Sequence, residues 1–362
     1  MTHCKTIVVH DSFAFKGGGE RLVHTLCQGL NLDLAFGTRS GEGFNLGTLP
    51  GNCIDLRILS HLWGWRTLKR FYGFRFKTKF LKNYKAVIYS GQDSPLAVHN
   101  HPDGKNIYYC HTPPRSLYDL KKYRLASLSF GQHLNHRAFN LCFQPLFESA
   151  VGKMDLIIAN SVNIQKRIKK YLGRDSLVVH PPCDTQTFHW LGQEGYYISF
   201  ARLDPLKRVD VIVKAFTQMP NKRLIIASTG PETRRLKTLA EGSKNINFTG
   251  PVDDHQLKDL LGKSIASIYI PRDEDFGMSP VESLAAGKPV LGVAEGGLQE
   301  TITHGETGIL LPANPSPDDL VDAVHELSPQ RTLTMREPCE NRERQFDKKI
   351  FLEKMGQLIE KR

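Results

Sequence analysis

Two glutamates, Glu274 and Glu282, have seven residues between them in the run from Ile268 to Ile302, IYIPRDEDFGMSPVESLAAGKPVLGVAEGGLQETI. The run reads as a strand ending at Pro271, then a loop holding Glu274, Phe276 and Gly277, then a helix opening near Ser279-Pro280. Serine can cap such a helix, and proline suits its first turn. The free N–H groups at the helix start form an anion site suited to a diphosphate. Glu282, inside the first turns, can reach back and accept hydrogen bonds from ribose hydroxyls. A single early glutamate would need no ligand, because complementing the helix dipole would explain it. The whole string asks for more, since Gly287, Pro289, Gly296 and Gly297 shape turns that let backbone approach a ligand.

Other residues suit the same chemistry. Arg202 and Lys207 follow the end of a strand in FARLDPLKRVDVIVKAF. Arginine binds phosphate bidentately and lysine binds it as a point charge. As ordinary surface cations they would say nothing; beside the glutamates they fit a diphosphate and its departure as a leaving group. Gly17, Gly18 and Gly19 allow close backbone approach to phosphate, although three glycines alone are more often a turn. His111 ends a strand and precedes Thr-Pro-Pro, so it should point toward a ligand.

These residues need a scaffold with many strand ends. KTIVVHDS, LDLAFG, CIDLRIL, KAVIYS, NIYYCH, DLIIAN and SLVVHPP read as strands, with helical patterns between several of them. Pro181-Pro182 and the polar stretch to Trp190 interrupt the alternation. It resumes with YYISFARL, RLIIAS, INFTG, ASIYI and PVLGV. Alternating strands and helices predict parallel sheets covered on both faces. We place the boundary between Thr185 and Gly195, giving domains 1–188 and 189–362, with the last helix packing back on the N-terminal domain. The expected architecture is two facing, doubly wound, Rossmann-like α/β domains. Ligands bind beyond the carboxyl ends of such strands, which predicts a site in the cleft between them.

The chain has 362 residues, enough for two domains. No apolar run reaches the length of a membrane span, and MTHCKTIVVHDSF lacks a leader's apolar core, so the expected place is the cytoplasm. The seven cysteines are scattered, with no CxxC, which points to free thiols and not to zinc or disulfides. The net charge of +11 favours anionic partners. Residues 61–85 hold eight Lys/Arg, eight aromatics and no acid, and a second basic run covers 121–137. Rings suit a membrane interface and cations suit anionic headgroups, so one or both runs are expected to dock peripherally on the inner face of the cell membrane. A solvated helix with inward aromatics is the plainer alternative. Nucleic acid is not expected, as no binding motif accompanies the charge.

The string EDFG…VESLAAGKPVL…GG…E resembles the nucleotide-sugar signature of the family 4 retaining glycosyltransferases, which have the GT-B fold. GGGERLV, YYCHTPPRSLYD and IIANSVNIQKRI resemble further segments of that family, in the expected order from about His10 to Pro312. The resemblance implies donor contacts from Gly18, Gly19, Arg202, Lys207, Gly230, Glu274, Phe276, Gly277, Met278, Ser279 and Glu282. It implies acceptor contacts from Glu20, His111 and Arg115. Catalytic roles would fall to His111, Glu274, Arg202 and Lys207, with His111 near the transferred sugar. It also implies a front-face reaction with retention and no required cofactor or metal. Consistently, Asp253-Asp254 and Asp318-Asp319 read as a turn and a helix start, not as metal-binding pairs. The HTPPR form resembles bacterial polysaccharide and lipopolysaccharide mannosyltransferases, so the expected reaction moves mannose from GDP-mannose to a glycan or lipid-linked acceptor. UDP-sugars are the next donors to consider. The alternatives are a GT-B epimerase or phosphorylase, or a sugar- or lipid-binding protein with a dead site.

Overall fold

The computed structural model describes residues 5–14, 17–40, 43–58, 63–121 and 130–361, without the side chains of 63–68, 130, 132–136 and 138–139. The chain forms two units, Met1–Pro181 with Phe351–Arg362, and Pro182–Ile350. The first holds strands β1 Thr6–Phe13, β2 Asp33–Arg39, β3 Cys53–Asp55, β4 Ala86–Ser90, β5 Lys105–Cys110, β6 Leu156–Ala159 and β7 Leu177–Val178. They lie in the order β3-β2-β1-β4-β5-β6-β7, and every pairing is parallel. The second holds β8 Tyr196–Ser199, β9 Arg223–Ile226, β10 Ile246–Phe248, β11 Ser267–Ile268, β12 Val290–Val293 and β13 Gly308–Leu311, in the parallel order β10-β9-β8-β11-β12-β13.

Side chains alternate across a strand, so a sheet covered on both faces needs apolar residues at every position. In β1, Ile7 and Val9 enter one core while Val8 enters the other. Along β5, Tyr108 faces the first and Ile107 and Tyr109 face the second. Tyr196 and Tyr197 of β8 divide the second unit's two cores in the same way.

The predicted strands are all present, with two differences. CIDLRIL forms a strand only over Cys53–Asp55, and Arg57 turns out of extended geometry at φ 50°. The edge strand β13, in GILL, was not among the expected strands. The chain divides at Pro181–Pro182, ahead of residue 188. The reason is local: Cys183 N–H donates to the Phe346 carbonyl (2.9 Å) and the Thr185 hydroxyl to Asp347 (2.9 Å), so this segment belongs with the second unit. The last helix, Lys348–Glu360, joins the first unit from Phe351 onward. There Phe351 meets Tyr109 edge-on, and Leu352 lies where a Cβ on Gly29 would sit. Asp253 is the N-cap of Asp254–Lys263 rather than part of a free turn, and Ser316 caps the helix carrying Asp318 and Asp319.

Among the described residues, no helix is long and apolar enough to cross a membrane. Residues 61–62 and 122–129, within the two basic runs, lie outside the described residues. The rest of 61–85 divides its rings. Phe74 is buried and Phe71, Phe80 and Tyr84 pack on the core, whereas Tyr72 and Phe76 are exposed.

Lys288 has an unusual place for a lysine. It is fully buried, and its Nζ donates to the Gly192 carbonyl (2.5 Å) beside the Trp190 ring, which Arg336 also covers. Burial, aided by the Arg336 charge, pushes its ammonium down to about 7. A lysine in the unfolded chain titrates near 10.4, so between these values the unfolded state binds more protons. Stability therefore rises with pH from about 7 to about 10.4, and the penalty is greatest below that window. Lys288→Met should flatten this rise; melting temperatures of both proteins from pH 7 to 10 check it, and parallel slopes would contradict it.

Candidate active site

In the second unit, loops gather beyond the carboxyl ends of β8, β11 and β12. The loop after β8 is held by Asp204, whose carboxylate accepts from Leu206 N–H (3.0 Å) and caps the short turn Pro205–Lys207. Arg208 follows at φ 52°, and its buried guanidinium donates to the carbonyls of Ile270 (2.7 Å), Pro271 (2.6 Å) and Ala313 (2.6 Å). Arg272 N–H returns a bond to Leu206 (2.7 Å). These bonds fix the β8 loop against the segment that follows β11.

That arrangement brings Lys207 to Glu274. The ammonium lies 2.5 Å from Glu274 Oε2 and 2.9 Å from the Tyr269 hydroxyl, which itself donates to the same carboxylate oxygen (2.9 Å). Burial pushes the Lys207 ammonium down, but Tyr269 and Glu274 outweigh it and hold it above its ordinary value. Burial and the neighbouring carboxylate push the Tyr269 hydroxyl up, so it stays protonated. Arg202 lies in the same loop, exposed and with no side-chain partner among the described residues.

The Glu274 loop is seated by backbone contact. Gly297 N–H donates to the Glu274 carbonyl (2.9 Å). A Cβ on Gly296 would stand 2.3 Å from that carbonyl oxygen, and one on Gly297 would stand 2.4 Å from Phe276 Cα. Phe276 is buried edge-on against Phe346. Gly230 is equally confined: its Cβ would meet the Leu203 carbonyl at 2.3 Å, under the loop that carries Arg202.

The helix opens differently from expectation. It runs Met278–Ala285, and its N-cap is Gly277 at φ 92°, with no side-chain cap. Ser279 is inside the first turn and does not cap; a serine could not adopt Gly277's backbone without strain. The first-turn N–H groups at Met278 and Ser279 are thus left to a ligand or solvent. Glu282 lies in the next turn, 8% exposed.

In the first unit the sequence candidates gather beyond β1, β4 and β5. Gly18 and Gly19 begin the helix Gly18–Leu30, with Gly17 as an N-cap lacking a side-chain bond. A Cβ on Gly19 would touch the His111 ring at 3.5 Å. His111 Nε2 is 2.8 Å from Ser90 Oγ, and His10 Nδ1 is 2.9 Å from the Ser90 carbonyl. Glu20 is buried in the helix's first turn, where burial and then Asp11 raise its carboxyl. Asp11 accepts backbone N–H bonds from Gln92 (2.6 Å), Asp93 (3.1 Å) and Ser94 (2.8 Å). Arg115 bonds to Asp119 (3.0 Å), which Arg167 shares at 3.4 Å.

Tyr269, Arg208, Ser90, His10 and Asp11 were not singled out in the sequence. Arg208 adjoins Lys207 and could have been flagged by its position after the turn. Tyr269, Ser90 and His10 sit in or beside apolar strands, and Asp11 lies in the polar end of KTIVVHDS, which reads as a turn.

Residues 186–346 match the family model described as Glycosyl transferases group 1. Anabaena Alr3699/HepE, solved in complex with UDP, superposes with a TM-score of 0.78 at 15% identity, covering 98% of this chain and 99% of that one. The fold is GT-B. A D-inositol 3-phosphate glycosyltransferase of Streptomyces bingchenggensis is 26% identical over 221 residues, 52% of this chain and 48% of the relative. Alpha-1,3/1,6-mannosyltransferase ALG2 of Dictyostelium discoideum is 22% identical over 310 residues, 72% of this chain and 71% of the relative. The chain thus spans about half the length of the Streptomyces relative and more of the Dictyostelium one.

Arg208 should matter more to folding than its exposed neighbour Arg202. Arg208→Ala strands three carbonyls and should cost about 3 kcal/mol, whereas Arg202→Ala should change stability little. Urea unfolding of both variants measures the difference; equal midpoints would refute it.

Proposed function

We propose that the chain is a retaining glycosyltransferase that moves a hexose from a nucleotide sugar to a glycan or lipid-linked acceptor. The observation that carries this reading is the Lys207–Tyr269–Glu274 cluster in the same unit as a glycine-capped helix start with no side-chain cap. Helix N–H groups and cations suit a diphosphate, and carboxylates suit sugar and ribose hydroxyls. In this reading the second unit binds the donor through Lys207, Arg202, Glu274, Glu282 and the first turn from Met278, with Gly230, Phe276, Gly277 and Ser279 shaping the surface. The first unit receives the acceptor through Glu20, His111 and Arg115, and Gly18 and Gly19 admit phosphate to its backbone.

The reaction breaks the bond between the anomeric carbon and the leaving phosphate. The acceptor oxygen bonds to that carbon on the same face, and its proton passes to a phosphate oxygen. Lys207 and Arg202 balance the charge that builds on the diphosphate, so no metal is required and transfer should survive EDTA. The donor we propose is GDP-mannose, with UDP-sugars as competitors, and the product belongs to surface polysaccharide or lipopolysaccharide synthesis in the cytoplasm. The mannosyltransferase named among the relatives supports the sugar, and the neighbour holding UDP supports the nucleotide-diphosphate class.

A thermal-shift screen against GDP-, UDP-, ADP-, TDP- and CMP-sugars should show the largest rise with the true donor. With that donor, Lys207→Ala should lower transfer about 100-fold and Glu282→Gln should raise the donor KM about ten-fold. Near wild-type transfer in both variants would remove the site assignment. Turnover of the nucleotide sugar without an acceptor would point instead to an epimerase, and dependence on free phosphate to a phosphorylase. Binding without turnover would leave a dead site.

We further propose that residues 61–85 and 121–137 dock peripherally on an anionic membrane. Exposed Tyr72 and Phe76 beside Lys69, Lys77, Lys79 and Lys82 support this for the first run. Co-sedimentation should be stronger with vesicles containing phosphatidylglycerol than with neutral ones, and Tyr72→Ala with Phe76→Ala should weaken it. Equal binding to both vesicles would end the proposal.

A further inference from the structure

Three central strands of the first unit place His111 at the end of a chain of polar groups, His10 and Ser90, that the transfer reaction has not used. In the parallel register, His10 of β1 pairs with Ser90 of β4, and Ser90 pairs with Tyr109 of β5. His111 follows two residues later. Ser90 thus ends β4 and His111 lies just past β5, while His10 sits inside β1 beside Ser90. Ser90 is 1% exposed and His10 is 5% exposed, so water does not set their hydrogen bonding.

His10 Nδ1 is 2.9 Å from the Ser90 carbonyl, which can only accept, so His10 carries its proton on Nδ1. The same N–H lies 3.2 Å from Ser90 Oγ and donates to it as well. Ser90 Oγ is thereby an acceptor, and its own proton needs somewhere to go. Among the described residues, the one other partner within reach is His111 Nε2, at 2.8 Å. Ser90 therefore donates to His111 Nε2, and that nitrogen has no proton. The remaining nitrogen, Nδ1, carries one, and it makes no hydrogen bond among the described residues. The ring is half-buried, so that N–H is free to be spent on a ligand.

Resting on the glycosyltransferase reading, we propose that Ser90, backed by His10, is a positioning residue that locks His111 as the neutral Nδ1–H tautomer, so that His111 meets substrate only as a hydrogen-bond donor. A base would need an unprotonated nitrogen facing the substrate, and Ser90 occupies the one that His111 has. Burial, then the neighbouring His10, pushes the His111 imidazole down to about 3, against the pull of Asp11. Burial likewise pushes His10 down to about 4. Among the described residues, Asp11 on β1 acts on His111, and Glu20 on the helix Gly18–Leu30 lies beside Asp11. Asp11 is occupied by three backbone N–H groups, and burial favours the neutral form of Glu20. Neutral His111 would donate to a sugar hydroxyl or carbonyl oxygen while the leaving phosphate takes the acceptor's proton.

The test reads the tautomer directly. Long-range proton–nitrogen NMR correlations on full-length, nitrogen-15 histidine-labelled protein should show His111 protonated at Nδ1 and bare at Nε2. Ser90→Ala should shift His111 toward the Nε2–H form and lower kcat about ten-fold, with the donor KM little changed. Ser90→Thr, which keeps the hydroxyl, should restore both. His10→Phe frees Ser90 Oγ to accept instead and should move the tautomer in the same direction as Ser90→Ala, so a poorly folding Ser90 variant does not decide the matter. A wild-type His111 protonated at Nε2 would overturn the proposal, as would a tautomer unmoved by both substitutions. If no nucleotide sugar is turned over by the wild type, the glycosyltransferase reading fails while the tautomer result still stands or falls by its own spectrum.

Discussion

Arg208 occupies a position where a buried charge would be costly without partners, and its partners are backbone carbonyls together with the Glu295 carboxylate at 3.5 Å. The three carbonyls, at Ile270, Pro271 and Ala313, come from segments that leave the sheet at its carboxyl edge. A planar guanidinium satisfies three acceptors spread along its rim, whereas the three donors of an ammonium all diverge from one nitrogen. Because Arg208 is next to Lys207, the geometry of the grip is also the geometry of the lysine. Fixing the Ile270–Pro271 backbone fixes where the loop to Glu274 begins. The ion pair at 2.5 Å is thus a downstream result of a neighbour that takes no part in it.

The two sheets bring side chains together in different ways. In the second unit, loops from β8, β11 and β12 are stitched by backbone bonds, and the cluster spans residues 202 to 297. In the first unit the work is done by strand register. His10 and Ser90 are separated by eighty residues and become neighbours because β1 and β4 align without a slip. A one-residue shift would turn Ser90 to the opposite face.

That contrast explains what could be read from the sequence. Strand and helix alternation was legible because parallel strands need continuous apolar runs. Glu274, Phe276, Gly277, Gly296 and Gly297 were legible because glycines and carboxylates at fixed spacing mark a loop built against something, and Lys207 because it is a cation just past a strand end. Tyr269 was hidden in ASIYI, where an aromatic reads as core. Ser90 and His10 were hidden because no local pattern records which strands will pair. The short strand β13 was missed for a related reason: GILL is only four residues long, and its role depends on β12 beside it. The start of the helix at Met278 differs from the expected one because serine is the usual cap, and Gly277 caps by its left-handed backbone instead of by a side chain.

The meeting of Gly296 and Gly297 with the Glu274–Phe276 backbone has a further consequence. Main chain rests on main chain there, with no side chain between, and even one methyl group would collide. Such a joint offers no gradient of sizes along which selection could tune it. Any change in what this loop contacts would have to come from what projects from the joint, such as the side chain at 274, or from what surrounds it, while the joint itself stays as it is. The most rigid contact in the loop is thus the one that leaves its neighbours free to diversify.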